Sequence, residues 1–476
     1  MSSESPQSDA MERRSIDFIP LNERHGKPWH LFTIWFSSNL QITGLVTGAL
    51  AVTIGLSLPW AIASILIGNF VGAIFMAYHS IQGPRMGVPQ MIQSRAQFGF
   101  LGALLPAIIV LLMYAGFAIE GSVITGQAFA TWAHISFAAS VIVQGIVIAV
   151  VAIFGYRLIH LSSRIVTVIS TIIFVILTIA LLTRLPHALP GGPAPTFGTI
   201  LLAISIFISW QVTWAPYVSD YSRYLPANTP ARTTFLWTYV GSVIGASWVM
   251  ILGAVGATIA EKAIGADSIG YLSGLIPAIS VIVLFALLIG SIPAGAYGAY
   301  GAFLTAISAV SARGIGKATP RVRTIFIIVF TAITTPVAIA ANGHILATVE
   351  NVTLGLLYLL VPWTAINLTD YYFIRKGEYQ IDELFKPRGV YGLVNVPTIV
   401  IYLLAVAAEV PFVNSSLFVG SLVPALGGAD IAWVVGLILP TAFYLAYGKW
   451  RERRMLSSTA RRPNIQPKAV INEPMA

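Results

Sequence analysis

Cysteine is absent from all 476 residues, and charged side chains make up only 9% of the chain. The first absence removes disulfides and thiolate metal sites, while saying little about compartment. The second sets the chain apart from soluble domains, where about a quarter of residues are charged. A phosphate-binding loop of the form G-x-x-x-x-G-K-S/T is also missing, which argues against an ATP-driven pump within this chain. His30, His79, His160 and His344 stand at the ends of apolar runs without metal-ligand spacing, so neither a metal nor a cofactor is expected. Strands alternating at period two do not occur, which excludes a membrane β-barrel.

What remains is apolar: 57% of residues are hydrophobic. Runs of about 20 such residues recur, each long enough to cross a hydrocarbon core of about 30 Å as a helix. The expectation is an all-α polytopic membrane protein of about 12 transmembrane helices. The spans read 31–54, 58–80, 101–130, 136–155, 165–183, 197–219, 234–260, 276–309, 324–341, 348–373, 394–412 and 429–448. The first follows a tail of mixed charge, "MSSESPQSDAMERRSIDFIP", and is too long for a signal-peptide core, so it should stay as a membrane helix.

Lys and Arg fall almost entirely on one set of loops. Arg13, Arg14, Arg24, Lys27, Arg85, Arg95, Arg157, Arg164, Arg223, Arg232, Arg313, Lys317, Arg321, Arg323, Arg375, Lys376, Lys386, Arg388 and the tail from Lys449 lie there, against Arg184 and Lys262 on the other set. By the positive-inside rule both termini are cytoplasmic and the protein is multi-pass in the cell membrane. The net charge of +9 therefore reflects topology and not nucleic-acid binding, because the bases are scattered over many loops. The corresponding division is a cytoplasmic tail at 1–28, a ten-helix transport core at 29–373, a cytoplasmic loop at 374–393, two additional helices at 394–449 and a tail at 450–476.

Two spans are interrupted. "WFSSNLQITGLVTG" in the first gathers Ser37, Ser38, Asn39, Gln41 and Thr43, and "SWQVTWAP" in the sixth ends on Pro216. Proline lacks an amide hydrogen, and backbone groups freed at membrane depth must be satisfied by protein, water or ligand. The interruptions lie five spans apart, as a 5+5 inverted repeat followed by two helices requires. Trp210 and Trp214 offer ring faces and Gln211 an amide edge, a set that suits a planar heterocycle. The competing reading makes the tryptophans packing or interface residues and the first-span polar cluster a helix-to-helix bonding set. Asp220 and Arg223, at i and i+3, read first as an ion pair at a helix end.

In "LLMYAGFAIEGSVITGQAF" of the third span, Glu120 is the one carboxylate deep in an apolar run. Such a group is by default functional, and burial favours a neutral form able to take up and release a proton. The bland alternative is a protonated Glu bonding a neighbouring helix. Phe117, about one turn earlier, offers a ring face. The eighth span, "IGSIPAGAYGAYGAFLTAIS", is rich in small residues suited to close helix approach, with Gly295, Tyr297 and Tyr300 as cavity candidates. Glu409 and Asp370 read as boundary residues.

Five stretches taken together carry a resemblance: "IPLNERHGKPWHLFTIWF", "GPRMGVPQMIQSRAQFG", "WAPYVSDYSRYLP", "LVPWTAINLTDYYFIRKGEY" and "LGGADIAW". From about Ile19 to Lys449 the chain resembles the nucleobase:cation symporter family, in its purine-cytosine permease branch. The resemblance implies a LeuT-like 5+5 inverted repeat plus two C-terminal helices, working by alternating access. It also implies a base held between aromatics of the third and sixth spans, here Phe117 and Trp210, with amide side chains on its edges; on the transport reading the base would bond through Gln211, Gln41 or Glu120. Backbone near Ser37 and Ser38 joins the site. Two departures stand out. Ser37 and Ser38 replace the family's frequent glycine and alanine, and Gly295 stands where an asparagine often binds the substrate. Sodium-coupled relatives carry adjacent hydroxyls where this chain has Ile289 and Gly290, with only Ser291 nearby. That favours a proton over sodium as coupling ion, with Glu120 as its carrier. The expected function is proton-coupled import of a nucleobase or related heterocycle, with the lipid bilayer as surroundings. The alternatives are a passive facilitator for a small polar solute and a sodium-coupled symporter of hydantoin- or allantoin-like compounds. An intramembrane enzyme is disfavoured, because neither paired catalytic carboxylates nor a nucleophile with a nearby base is evident.

Overall fold

The computed structural model describes residues 16–154, 156–187, 194–311 and 319–460. Arg13, Arg14, Arg313 and Lys317, the side chains of Arg157 and Arg164, and the outer parts of both tails lie outside the described residues. The described chain is helical throughout, with a lone bridge between Asn414 and Val419 as its only β pairing. Among the described residues, eight helical stretches are long and apolar enough to cross a membrane, and four shorter apolar helices accompany them. They overlap the runs read from the sequence. Large apolar side chains such as Ile146, Ile172, Ile179, Ile282 and Ile333 point outward, as a lipid-facing surface requires.

Both interruptions are real breaks. The first span divides into α1 (His30–Ser38) and α2 (Ile42–Thr53), with Gln41 extended between them at φ −138° and ψ 154°. The sixth divides into α9 (Phe197–Val212) and α10 (Ala215–Ser222), with Pro216 at the start of the second piece. Proline is tolerated in a first turn, where its missing N–H would be unpaired anyway, but the helix before it cannot run on unbroken. Local signals set other ends too. Thr196 caps α9 by accepting from the Thr199 amide at 3.1 Å. Gly87, at φ +65°, closes α3 (Leu58–Met86) in the left-handed conformation that glycine adopts without strain.

Two short helices, α4 (Gln90–Gln93) and α5 (Arg95–Phe98), follow α3 and are buried over their whole length. Then come α6 (Leu104–Ala133), α7 (Phe137–Phe154) and α8 (Tyr156–Leu182). After the broken sixth span run α11 (Ala231–Gly274), α12 (Ser280–Ser311), α13 (Pro320–Ala340) and α14 (Ile345–Thr369), the last ending in a π-helical turn, Asp370–Ile374. The chain closes with α15 (Val396–Glu409) and α16 (Ala432–Ala460). Non-helical torsions at Ala260 and Asp267 divide α11, and the first of them falls where the seventh span was expected to end.

The first span packs closely on α11 because glycines allow backbone to approach backbone. A Cβ on Gly48 would sit 2.0 Å from the Met250 carbonyl oxygen, and one on Gly253 only 1.8 Å from that of Leu45. The polar segment after α14 does not hang free. Buried Arg95 donates to the Leu384 carbonyl at 3.1 Å and to that of Ser308 at 3.0 Å, with its guanidinium 4.5 Å from the Phe100 ring centre. Burial pushes the Arg95 guanidinium down to about 10, so it stays charged near neutral pH. Asp370, read from sequence as a boundary residue, is a buried hub. It accepts from Gln97 (2.9 Å), Arg375 (3.1 Å), Tyr379 (2.7 Å) and Tyr444 (3.1 Å), tying α5, the loop after α14, and α16 together.

Candidate functional site

The two breaks meet side by side. Trp210, on the last turn of α9, is buried and donates its indole N–H to Asn39 Oδ1 at 2.6 Å. Asn39 lies in the gap between α1 and α2, where its Nδ2 reaches the Trp35 carbonyl at 2.6 Å and Ser242 Oγ of α11 at 3.3 Å. Ser242 in turn donates to Gln211 Oε1 at 2.6 Å, and Gln211 Nε2 donates to Asn69 Oδ1 of α3 at 2.7 Å. A closed chain of buried amides and hydroxyls thus joins both broken spans to α3 and α11. Such groups at membrane depth need partners, and here they find one another.

The other first-span candidates sit at the same gap. Gln41 donates to the Ser38 carbonyl at 2.7 Å, and Ser37 to that of Ile34 at 3.1 Å. Local bonding of this kind stabilises the interrupted backbone and leaves carbonyl lone pairs at the break.

An aromatic cluster continues from the break along α10. The Trp210 and Trp214 rings meet edge to face at 6.2 Å, Trp35 and Trp214 at 5.6 Å, and Trp214 and Tyr217 at 5.7 Å. Tyr114 of α6 joins at 5.8 Å from Tyr217. Buried indole nitrogens on Trp35 and Trp214 have no hydrogen-bond partner in this arrangement.

The third-span candidates divide. Phe117 is half-buried against the main core on α6. Glu120 is fully buried, and among the described residues neither carboxyl oxygen has a hydrogen-bond partner. An unpartnered charge at that depth would be expensive, whereas a neutral carboxylic acid is tolerated.

On α12 the structure separates the candidates from the break. A Cβ on Gly295 would lie 2.8 Å from Ile148 of α7, and Tyr297 packs in a cluster with Ala152 and Ile327. Gly295 therefore faces α7, whereas Tyr297, about 200° further round a helix of 3.6 residues per turn, belongs to the cluster shared with α7 and α13. The side meeting α6 instead carries Gly298 and Gly301, the latter against Tyr114. Ser291 donates to the Leu288 carbonyl one turn back at 2.6 Å. Helical spacing contained the signal: glycines at 295, 298 and 301 cannot all share one line on a helix of 3.6 residues per turn. Which of them faced the centre needed a neighbour to tell. Sequence reasoning also missed Asn69 and Ser242. Both are single polar residues in apolar spans, a pattern that marks a candidate without naming its partner.

Residues 18–436 match the family of permeases for cytosine/purines, uracil, thiamine and allantoin. The chain belongs to this family. The permease is 40% identical over 448 residues to the putative purine-cytosine permease YxlA of Bacillus subtilis, covering 93% of this chain and 97% of that one. Its fold matches that of Mhp1 in the inward facing conformation, with a TM-score of 0.74 at 18% identity over 94% of this chain and 96% of the other. A second Mhp1 structure, a nucleobase-cation-symport-1 family transporter in a closed conformation with bromovinylhydantoin bound, gives 0.73 at 17% identity, covering 94% and 97%. The permease is accordingly a polytopic membrane transporter and not an enzyme. Its paired broken helices are the feature of such transporters that sets irregular backbone around a midplane cavity.

Proposed function

We propose that this permease imports a nucleobase, or a closely related planar heterocycle, across the cell membrane by proton-coupled symport with alternating access. The observation that carries the reading is the meeting of the two breaks through Trp210 and Asn39, with the unpartnered Glu120 buried in α6. A flat ring stacks on the Trp210 face and on Phe117, while amide and carbonyl groups of the first-span gap, with Gln41, meet its polar edge. Gln211 acts behind Trp210, because its amide already joins Asn69 to Ser242. The names of the relatives support the substrate class, and the loop charges support cytoplasmic termini. Residues 29–373 form the transport core in this reading, with 394–449 as two added helices.

Glu120 carries the proton. In a dry site the neutral acid is stable, and the group can ionise only when the cavity opens to water, which ties protonation to one side of the cycle. Coupling then follows if proton and heterocycle favour the same closed state. Uptake of labelled cytosine, adenine, hypoxanthine, uracil and allantoin into proteoliposomes, under a proton gradient and separately under a sodium gradient, tests this. Accumulation of a base under the proton gradient alone is expected. Accumulation only under sodium would overturn the assignment of the ion, and equilibration without accumulation would make the protein a facilitator.

A further inference from the structure

Below the break, on the α10 side, lies a second polar cluster that the central site does not use. His79 of α3 stacks on Trp363 of α14, with ring centres 4.9 Å apart and planes 4° from parallel. Gln90 Nε2 contacts His79 Nδ1 at 3.2 Å and donates to Gln82 Oε1 at 3.0 Å, and Gln82 Nε2 donates to Asn367 Oδ1 at 2.7 Å. With the amides in this order, Gln82 gives its amide hydrogen to Asn367, its oxygen accepts from Gln90, and the second Gln90 hydrogen faces His79 Nδ1.

Among the described residues, three buried polar atoms of this cluster have no partner: His79 Nε2, Gln90 Oε1 and Asn367 Nδ2. The residues bearing them are at most 1% exposed. Native interiors leave few such groups, so an array of donors and acceptors beside an indole face points to a ligand. The cluster is closed off by α10, where Ser219 donates to the His79 carbonyl at 2.8 Å and Asp220 Oδ1 accepts from the Gln90 backbone N–H at 2.8 Å. Movement of α10, the cytoplasmic half of a broken span, would uncover it.

An imidazole stacked on an indole with an amide at its nitrogen edge has the chemistry of a bound nitrogen heterocycle. We propose that Trp363, Gln90 and Asn367 form a second, cytoplasmic-side station for the cargo ring, with the His79 imidazole as its resident occupant. Cargo leaving the break displaces His79, stacks on Trp363 and bonds at its edge to Gln90 Oε1 and Asn367 Nδ2; the ring of His79 returns as the cargo departs. This rests on the heterocycle reading above.

The two can fail separately. Half-saturation for labelled cytosine and adenine is measured in right-side-out and everted vesicles carrying the full chain. Trp363→Leu and Asn367→Leu should each raise the ratio of inner to outer half-saturation about tenfold, the size of a lost stacking or edge contact. His79→Ala should lower that ratio, because it removes the competitor. A merely structural cluster predicts that all three variants shift in the same direction or leave the ratio unmoved, and either result overturns the station while leaving the transport reading intact. A His79→Ala chain that does not fold would also overturn it, since a displaceable ring is dispensable. Wild-type vesicles that move neither base sink both proposals.

Discussion

Replacing Asn39 by leucine tests the joint between the two broken spans. The Asn39 side chain makes three bonds: it accepts from Trp210 at 2.6 Å and donates to the Trp35 carbonyl at 2.6 Å and to Ser242 at 3.3 Å. Leucine has similar volume, so packing changes little, but the buried Trp210 N–H loses its Asn39 acceptor. Interhelical bonds in membranes are worth about 0.6 kcal/mol each on average, which puts the Trp210 and Ser242 links together at about 1 kcal/mol. A buried N–H left without a partner adds about 1–3 kcal/mol. The sum is about 2–4 kcal/mol, enough to matter but below global unfolding for a protein of this size. It falls on the orientation of the Trp210 ring, so cargo binding should weaken at least tenfold. Equilibrium binding of labelled cytosine or adenine to purified protein, together with thermal melting in detergent, reads both effects. Asn39→Asp, which keeps the acceptor for Trp210 and loses the two donated bonds, should fall between. An Asn39→Leu protein with wild-type melting and wild-type affinity would refute the joint as described.

Other perturbations follow from the same geometry. Glu120→Gln should leave the protein folded and abolish the pH dependence of uptake; an unchanged pH profile in transport assays would remove Glu120 as the carrier. Gly48→Ala should block folding, because its Cβ would lie 2.0 Å from the Met250 carbonyl oxygen, and normal membrane expression would contradict the close α2 to α11 approach. Arg95→Lys keeps the charge but cannot reach both the Leu384 and Ser308 carbonyls as a fork, so the loop after α14 should become accessible to protease at neutral pH. In the loop after α14, the Lys386 hydrogen bond holds the Glu383 carboxyl below its ordinary range. That contribution is present above the ordinary carboxylate range and disappears as pH falls through the lowered value; Glu383→Gln should leave melting at pH 7 almost unchanged, since exposed pairs contribute little.

The membrane class, the approximate spans and both breaks were legible in the residue order, because length of apolar run and loss of a backbone donor act locally. Trp210, Gln41 and Glu120 stood out for the same reason: polarity inside lipid is visible without knowing its surroundings. Partnership was not legible. Gln211 reads as an edge for cargo until Asn69 and Ser242, 142 and 31 positions away, are seen to hold it. Gly295 is indistinguishable from Gly298 and Gly301 until α7 and α6 are placed around α12. Asp370 looks like a helix-end charge until four donors from three separate segments converge on it. Helical periodicity tells which residues share a face, but only the packing of distant helices decides what that face meets, and the site is made of such meetings.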